Sequence, residues 1–273
     1  MSRASAAPPS SSVRETVARV TRELAAAGCV SAAAEARWLV EEAADPPALR
    51  AMVARRVAGE PLQYVVGWAP FGRLKLLVGP GVFVPRPETE GLADRAATHL
   101  RAAGPEATAV DLCSGSGAIA CFLAAEVPGA RVLATELDPA ALAWARPNAD
   151  RYGVELLAGD LDAPLPGELA GRVDVLCANV PYVPSGAILT LPRDVREHEP
   201  RLALDGGPDG LDVLRRVAAV AGRWLAPGGF LLCEIGEDQG EAAAALLAEA
   251  GLTEIAVLPD MAGGDRVVEG RWP

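Results

Sequence analysis

The residues best suited to chemistry stand where apolar runs stop. The run Val173-Asp-Val-Leu-Cys-Ala178 gives way to Asn179-Val180-Pro181-Tyr182: an amide, a turn and an aromatic ring. The side-chain oxygen of Asn179 and the backbone carbonyl of Val180 are two acceptors, each able to take one N–H of a planar nitrogen group. Held so, the nitrogen presents its lone pair to an electrophile, and its growing positive charge meets two fixed dipoles. Pro181 biases Val180 towards extended backbone and helps aim that carbonyl. The Tyr182 ring can pack on the planar group. Alone, the same four residues also make an ordinary strand-ending turn.

A second constellation precedes it, Asp111-Leu-Cys113-Ser114-Gly115-Ser116-Gly117-Ala-Ile-Ala120. Glycines at a strand-to-helix turn let a ligand approach the backbone and leave helix N-terminal N–H groups available. Glu136 ends the next apolar run, where a carboxylate can accept from both hydroxyls of a ribose. Asp160 ends a third, Leu156-Leu-Ala-Gly-Asp160-Leu161, and suits an adenine amino group. Asp111 either organises the loop or meets an amino-acid ammonium group. Gly115, Gly117 and Ala120 also satisfy the dinucleotide form G-x-G-x-x-A, so the turn alone leaves the nucleotide open.

Other chemistries find little support. His99 and His198 are far apart, with no nucleophile and carboxylate arranged around them. Cys29, Cys113, Cys121, Cys177 and Cys233 include no C-x-x-C pair, which argues against a zinc site or a disulfide framework. They read as small hydrophobes. Acids outnumber bases 36 to 25 for a formal charge of −11, and Lys75 is the single lysine. That balance argues against a surface that holds nucleic acid by charge alone. With 51% hydrophobic residues a buried core is assured. No apolar run approaches the roughly 18 residues of a membrane span, and the opening residues lack the apolar stretch of a secretory signal. The chain reads as cytoplasmic, with no membrane partner.

The elements that must position these residues follow from periodicity. Residues 1–12 are Ser, Ala and Pro without pattern and are expected to be a disordered tail. Val17, Val20, Leu24, Trp38, Leu39 and Val40 recur at helical spacing, so 13–58 reads as a small domain of about three helices, its arginines on solvated faces. Over 59–90, Gly/Pro punctuation predicts a connector in which Leu74–Val78 and Val82–Val84 pair as a hairpin across Gly79-Pro80-Gly81. From 91 to 273 strands and helices alternate. Strands are expected at Ala109–Cys113, Arg131–Glu136, Val154–Leu157, Val173–Ala178 and Phe230–Ile235. Helices are expected at Ile119–Glu126, Ala140–Asp150, Leu211–Trp224 and Gln239–Ala250. That alternation specifies an α/β fold, a parallel sheet covered on both faces. Glu254–Leu258 and Arg266–Glu269 close it as an antiparallel hairpin. Polar groups at successive strand ends, with that terminal hairpin, fit a Rossmann-like class I S-adenosylmethionine methyltransferase sheet better than a hydride-transfer enzyme.

Several strings make the resemblance specific: Gly59-Glu-Pro-Leu-Gln-Tyr64, Phe83-Val-Pro-Arg-Pro-Glu-Thr-Glu90, Asp111–Gly117 and Glu199-Pro-Arg-Leu-Ala-Leu-Asp205-Gly-Gly. With the Asn179 turn, they resemble the HemK/PrmC group of protein-(glutamine-N5) methyltransferases, which modify the Gly-Gly-Gln loop of peptide-chain release factors. The resemblance runs from about Val13 to the C-terminus. It implies S-adenosyl-L-methionine as cofactor and no metal. It implies cofactor contacts from Asp111, Cys113, Ser114, Gly115, Ser116, Gly117, Glu136, Leu137, Asp160, Leu161 and Asn179. Arg86 and Thr89 would line the cofactor and substrate mouth, and Asn179, Val180, Pro181 and Tyr182 would carry catalysis. Domain 13–58 would recognise the acceptor, a release factor or another protein bearing a similar glutamine.

Two residues depart from the family pattern. Val180 stands where Pro is usual, and Cys113 where the glycine turn usually begins with Gly. Val180 keeps its carbonyl, so its change bears on the acceptor more than on the reaction. Three other readings remain: a tailoring enzyme for a small-molecule amide or guanidine, a nucleic-acid base methyltransferase, and a cofactor-binding module without turnover. The acidic charge counts against the second, and any methyl turnover would eliminate the third.

Overall fold

A computed structural model of the chain describes residues 11–260 and 263–273. Residues 1–10 of the expected tail lie outside the described residues, whereas Ser11 and Ser12 already belong to the first helix. The chain divides into two compact units between Gly67 and Trp68.

The first unit is helical: α1 (Ser11–Ala26), α2 (Ala32–Glu42), α3 (Pro46–Val57) and the short α4 (Leu62–Val66). Its apolar residues at helical spacing meet in one core, among them Val20, Leu24, Ala36, Leu39, Leu49, Val53, Leu62 and Val65. Asp45 caps α3 by accepting from the Ala48 N–H at 2.7 Å, with Pro46 and Pro47 opening the helix where no N–H partner is needed. Arg56 departs from the expected solvated face. It pairs with Glu35 at 2.6 Å, each side chain only 11% exposed.

The second unit opens with a two-stranded hairpin, β1 (Trp68–Phe71) and β2 (Leu74–Leu77), antiparallel, with Phe71 opposite Leu74. The expected hairpin instead had Leu74–Val78 turning into Val82–Val84. The difference is one of packing. A Cβ on Gly79 would collide with the Trp144 ring, and the Trp144 indole N–H donates to Pro80 O at 3.1 Å. The Gly-Pro-Gly stretch therefore lies against a helix rather than turning back on itself. Val82 and Val84 are buried outside any strand.

There follow α5 (Glu90–Ala103), β3 (Thr108–Leu112), α6 (Ala118–Glu126), β4 (Arg131–Glu136), α7 (Pro139–Tyr152), β5 (Glu155–Ala158), β6 (Val173–Ala178), α8 (Arg193–His198), α9 (Asp212–Trp224), β7 (Leu225–Glu234), α10 (Gly240–Glu249), β8 (Thr253–Pro259) and β9 (Asp265–Arg271). Among the described residues the main sheet runs in the order β5-β4-β3-β6-β7-β9-β8. The first five strands are parallel; β9 is antiparallel to both β7 and β8. This is the parallel sheet with terminal antiparallel hairpin expected from the sequence.

Both faces are covered, which is why the central strands read as near-continuous apolar runs. Ala109, Ala134, Cys177 and Leu232 face Leu92, Ala96 and Leu100 of α5 and Ile119 and Leu123 of α6. Val110, Leu133, Leu176 and Leu231 face Leu214, Val217 and Trp224 of α9 and Leu247 of α10. Cys121, Cys177 and Cys233 are buried and reduced; Cys29 and Cys113 are partly exposed. His99 stacks on Phe230 and meets Glu269 at 3.1 Å, a packing role. Among the described residues no helix is long and apolar enough to cross a membrane.

Candidate active site

Strand β3 pairs with β4 on one side and β6 on the other, so the chain leaves it in opposite directions for the two halves of the sheet. A cleft opens at such a switch point, beyond the carboxyl ends of the strands. Asp111, Cys113, Ser114, Gly115, Ser116, Glu136, Leu137, Asp160, Leu161, Asn179, Pro181, Tyr182 and Thr89 all line one cleft there. Three predicted residues do not. Arg86 turns to Glu199, Gly117 sits at the start of α6, and Val180 is 2% exposed within the apolar layer under α9.

The glycine turn is held from several directions. Glu136, 8% exposed, accepts from the Gly115 N–H and from the Asp138 N–H, each at 2.7 Å. Its two oxygens therefore brace the loops leaving β3 and β4, and each keeps a lone pair for a ligand hydroxyl. Asp111 is fully buried, and its Oδ2 accepts from the Ala120 N–H at 3.1 Å, tying β3 to the first turn of α6. Cys113 has φ 59, left-handed backbone that costs an L-residue about 1–2 kcal/mol. That conformation explains why glycine is usual at this position. Asn148 on α7, 1% exposed, donates to Ser116 O at 2.9 Å and exchanges hydrogen bonds with the Leu77 backbone. It fastens the turn to β2. Nothing in the sequence singled it out except an amide on the apolar side of a helix.

The Asn179 turn is clasped by backbone. A Cβ on Gly206 would lie 2.6 Å from Pro181 O, so only glycine lets that loop press against the turn. Gly206 N–H donates to Val183 O at 2.9 Å, Val183 N–H to Leu204 O at 3.0 Å, and Gln239 Nε2 to Tyr182 O at 3.0 Å. Asn179 Nδ2 donates to Thr89 Oγ1 at 3.2 Å, which leaves Oδ1 as the side chain's acceptor. Asp160 has a protein partner that the sequence did not indicate. Half-exposed, it pairs with Arg216 of α9 at 2.7 Å, and both residues line the cleft.

Burial dominates the electrostatics. It pushes the Asp111 carboxyl up to about 8, with Glu136 nearby adding to the rise and the Ala120 N–H opposing it. Glu136 is raised for the same first reason, offset by its backbone donors. The Cys113 thiol is pushed up to about 12 by burial and surrounding carboxylates, so it is not a nucleophile. A further acid lies behind the Asn179 turn: Glu234 at the end of β7, 1% exposed. Burial lifts its pKa; the Thr89 hydroxyl, Arg266 and the Tyr182 hydroxyl pull it back. The sequence offered one unused signal for it, a carboxylate ending the apolar run Phe230-Leu-Leu-Cys-Glu234.

The cleft has polar groups of the kind that a nucleoside bearing an amino acid requires. The buried Asp111 Oδ1 and Ser114 Oγ have no partner within the protein, and both residues face the cleft. An ammonium group and a hydroxyl or carboxylate are the groups that satisfy such atoms. No cluster of metal-ligating side chains occurs among the described residues.

Fold and cleft together define the class: an S-adenosylmethionine-dependent methyltransferase. A family model for the methyltransferase small domain matches residues 74–190. The fold is also that of a methyltransferase from Pyrococcus furiosus, at 19% identity and a TM-score of 0.53, covering 80% of this chain and 96% of that one. Sequence likeness is far closer to a narrower group. The chain is 41% identical over 276 residues to the release factor glutamine methyltransferase of Mycolicibacterium smegmatis, spanning 94% of this chain and 96% of the relative. It is 48% identical over 217 residues to that of Moorella thermoacetica, spanning 78% and 75%. The chain belongs to the release factor glutamine methyltransferase family.

Proposed function

We propose that the protein methylates the side-chain amide nitrogen of a glutamine in a protein acceptor, and that the acceptor is a peptide-chain release factor. The observation that carries this reading is the Asn179 amide, held by Thr89 with its oxygen free, in the same cleft as the glycine turn. The relatives' names supply the acceptor class.

An amide nitrogen is a poor nucleophile because its lone pair is delocalised into the carbonyl. Asn179 Oδ1 and the Val180 carbonyl would each accept one of its N–H groups, turning the lone pair towards the donor and stabilising the charge that grows on nitrogen. Tyr182 would pack against the amide plane. Glu136 would accept from the ribose hydroxyls, Asp111 would face the ammonium group, and Leu137 and Leu161 would flank the base. S-adenosylmethionine supplies an electrophilic methyl: the N–C bond forms as the C–S bond breaks, sulfur keeps the electron pair, and nitrogen sheds a proton to water. No general base among the protein's residues is needed, since the methylated nitrogen is strongly acidic before it loses that proton.

The test is labelled methyl transfer into purified release factors and, in parallel, into cell lysate and its small-molecule fraction, with mass-spectrometric mapping of the site. Label on the glutamine of the Gly-Gly-Gln loop is expected. Asn179→Ala should lower kcat about 10²-fold, the cost of one fixed transition-state partner, with a smaller effect on cofactor affinity. Label confined to small molecules would overturn the acceptor assignment.

A further inference from the structure

Strands β6 and β7 run parallel, with Ala178 opposite Cys233, so the next residues, Asn179 and Glu234, end neighbouring strands side by side. Ala178 and Cys233 both belong to the apolar layer under α9 and α10, which sends the following side chains to the opposite face, where Thr89 precedes α5. There Asn179 Nδ2 reaches Thr89 Oγ1 at 3.2 Å. Glu234 is 1% exposed, its Oε2 has no partner within the protein, and the Thr89 and Tyr182 hydroxyls lie near enough to oppose the rise in its pKa that burial causes. Nothing in the proposed reaction uses this buried acid.

Its value lies in hydrogen-bond polarity. A carboxyl oxygen that carries no proton only accepts, and a threonine hydroxyl has a single proton to give. We propose that Glu234 is a positioning residue: it takes the Thr89 proton, so that Thr89 can only accept from Asn179 Nδ2, and the Asn179 oxygen is left facing the acceptor amide. With the polarity reversed, Thr89 would donate to Asn179 Oδ1, and the NH₂ group would face the acceptor's own N–H donors. This inference rests on the reading of Asn179 as the clamp for the acceptor nitrogen.

The experiment uses Glu234→Gln, which keeps the shape but can donate as well as accept, and Thr89→Val, which removes the hydroxyl at constant volume. Each should lower kcat on release factor at least about tenfold, the scale of a misdirected transition-state partner. KM and S-adenosylmethionine affinity by calorimetry should change less than about twofold. Thr89→Ser should recover most of what Thr89→Val loses. The double variant should be no slower than Thr89→Val, because both changes break one relay. In ¹⁵N-labelled full-length protein, the Asn179 side-chain amide signals, identified by their loss in Asn179→Ala, should exchange faster with solvent in Glu234→Gln. Wild-type turnover and amide exchange in Glu234→Gln would overturn the proposal, as would multiplicative effects in the double variant. If the wild type leaves release factors unmodified while the amide signals still respond to Glu234→Gln, the acceptor assignment fails and the relay stands.

Discussion

Arg86 Nη2 donates to Glu199 Oε1 at 2.6 Å across 113 residues of sequence, and the Glu199 side chain is only 1% exposed. The guanidinium also lies over the Phe83 ring at 4.7 Å. The resemblance places Arg86 at the cofactor mouth; in the structure it is a strut that pins the segment after α8 to the one preceding α5.

That geometry makes Arg86→Leu a stability variant. Burial pushes Glu199 up to about 7 even with Arg86 beside it, so the pair is fully ionised only above that pH. Removing the cation at pH 8 leaves a buried carboxylate unpaired, a loss of about 3 kcal/mol. At pH 6 the loss should shrink, because protonated Glu199 needs no cation. Denaturant titrations at the two pH values measure both quantities, and equal losses would dismiss the ion pair as their source.

Asp111 should couple cofactor binding to protons. Its carboxyl, ordinarily near 3.8, is pushed up to about 8 by burial, so the unliganded protein holds it neutral at pH 7. The raised value lends stability that is full below the ordinary carboxylate pKa and is lost as pH rises through about 8. A ligand ammonium beside it favours the ionised form. S-adenosylmethionine binding should therefore release a proton near pH 7, and affinity should climb with pH until about 8. Calorimetry in buffers of different ionisation enthalpy reads that proton directly, and Asp111→Asn should abolish it. Identical heats in every buffer would place the ammonium elsewhere.

Glu136→Ala should weaken S-adenosylmethionine binding by about 1.5–3 kcal/mol, the usual worth of charge-assisted hydrogen bonds. The carboxylate also holds the Gly115 and Asp138 N–H groups, so exchange of those two amides should speed up in the unliganded variant. Unchanged affinity with an intact fold would exclude Glu136 from the ribose.

Val180→Pro separates acceptor from chemistry. The substitution keeps the backbone carbonyl and trims a buried side chain, at a cost of about 1 kcal/mol in stability. If the acceptor is a release-factor glutamine, turnover on it should hold or rise, since the family turn is restored. If the acceptor requires the Val180 N–H, proline removes that donor and fixes φ near −65°. Kinetics on release factor beside the native acceptor distinguish the two outcomes.

What the sequence determined by itself is local. Short, near-continuous apolar runs for the strands and helical spacing between them specified a sheet buried on both faces, because each pattern depends only on neighbours along the chain. The glycine turn, Glu136 and the Asn179 turn were legible for the same reason: each sits where an apolar run must end. Tertiary structure decided which distant groups meet. Trp68–Phe71 and Val82–Val84 are equally apolar candidates to pair with β2, and only the Trp144 ring against Gly79 separates them. Arg86 faces Glu199 instead of the cleft, and Asp160 takes Arg216. Asn148 reaches across to the glycine turn, and Glu234 lies behind Thr89. None of these pairings leaves a period or a spacing to read. A hydrogen bond or ion pair across many residues is chosen by which surfaces the packed sheet brings within about 3 Å, in the desolvated interior where an unpaired group is costly.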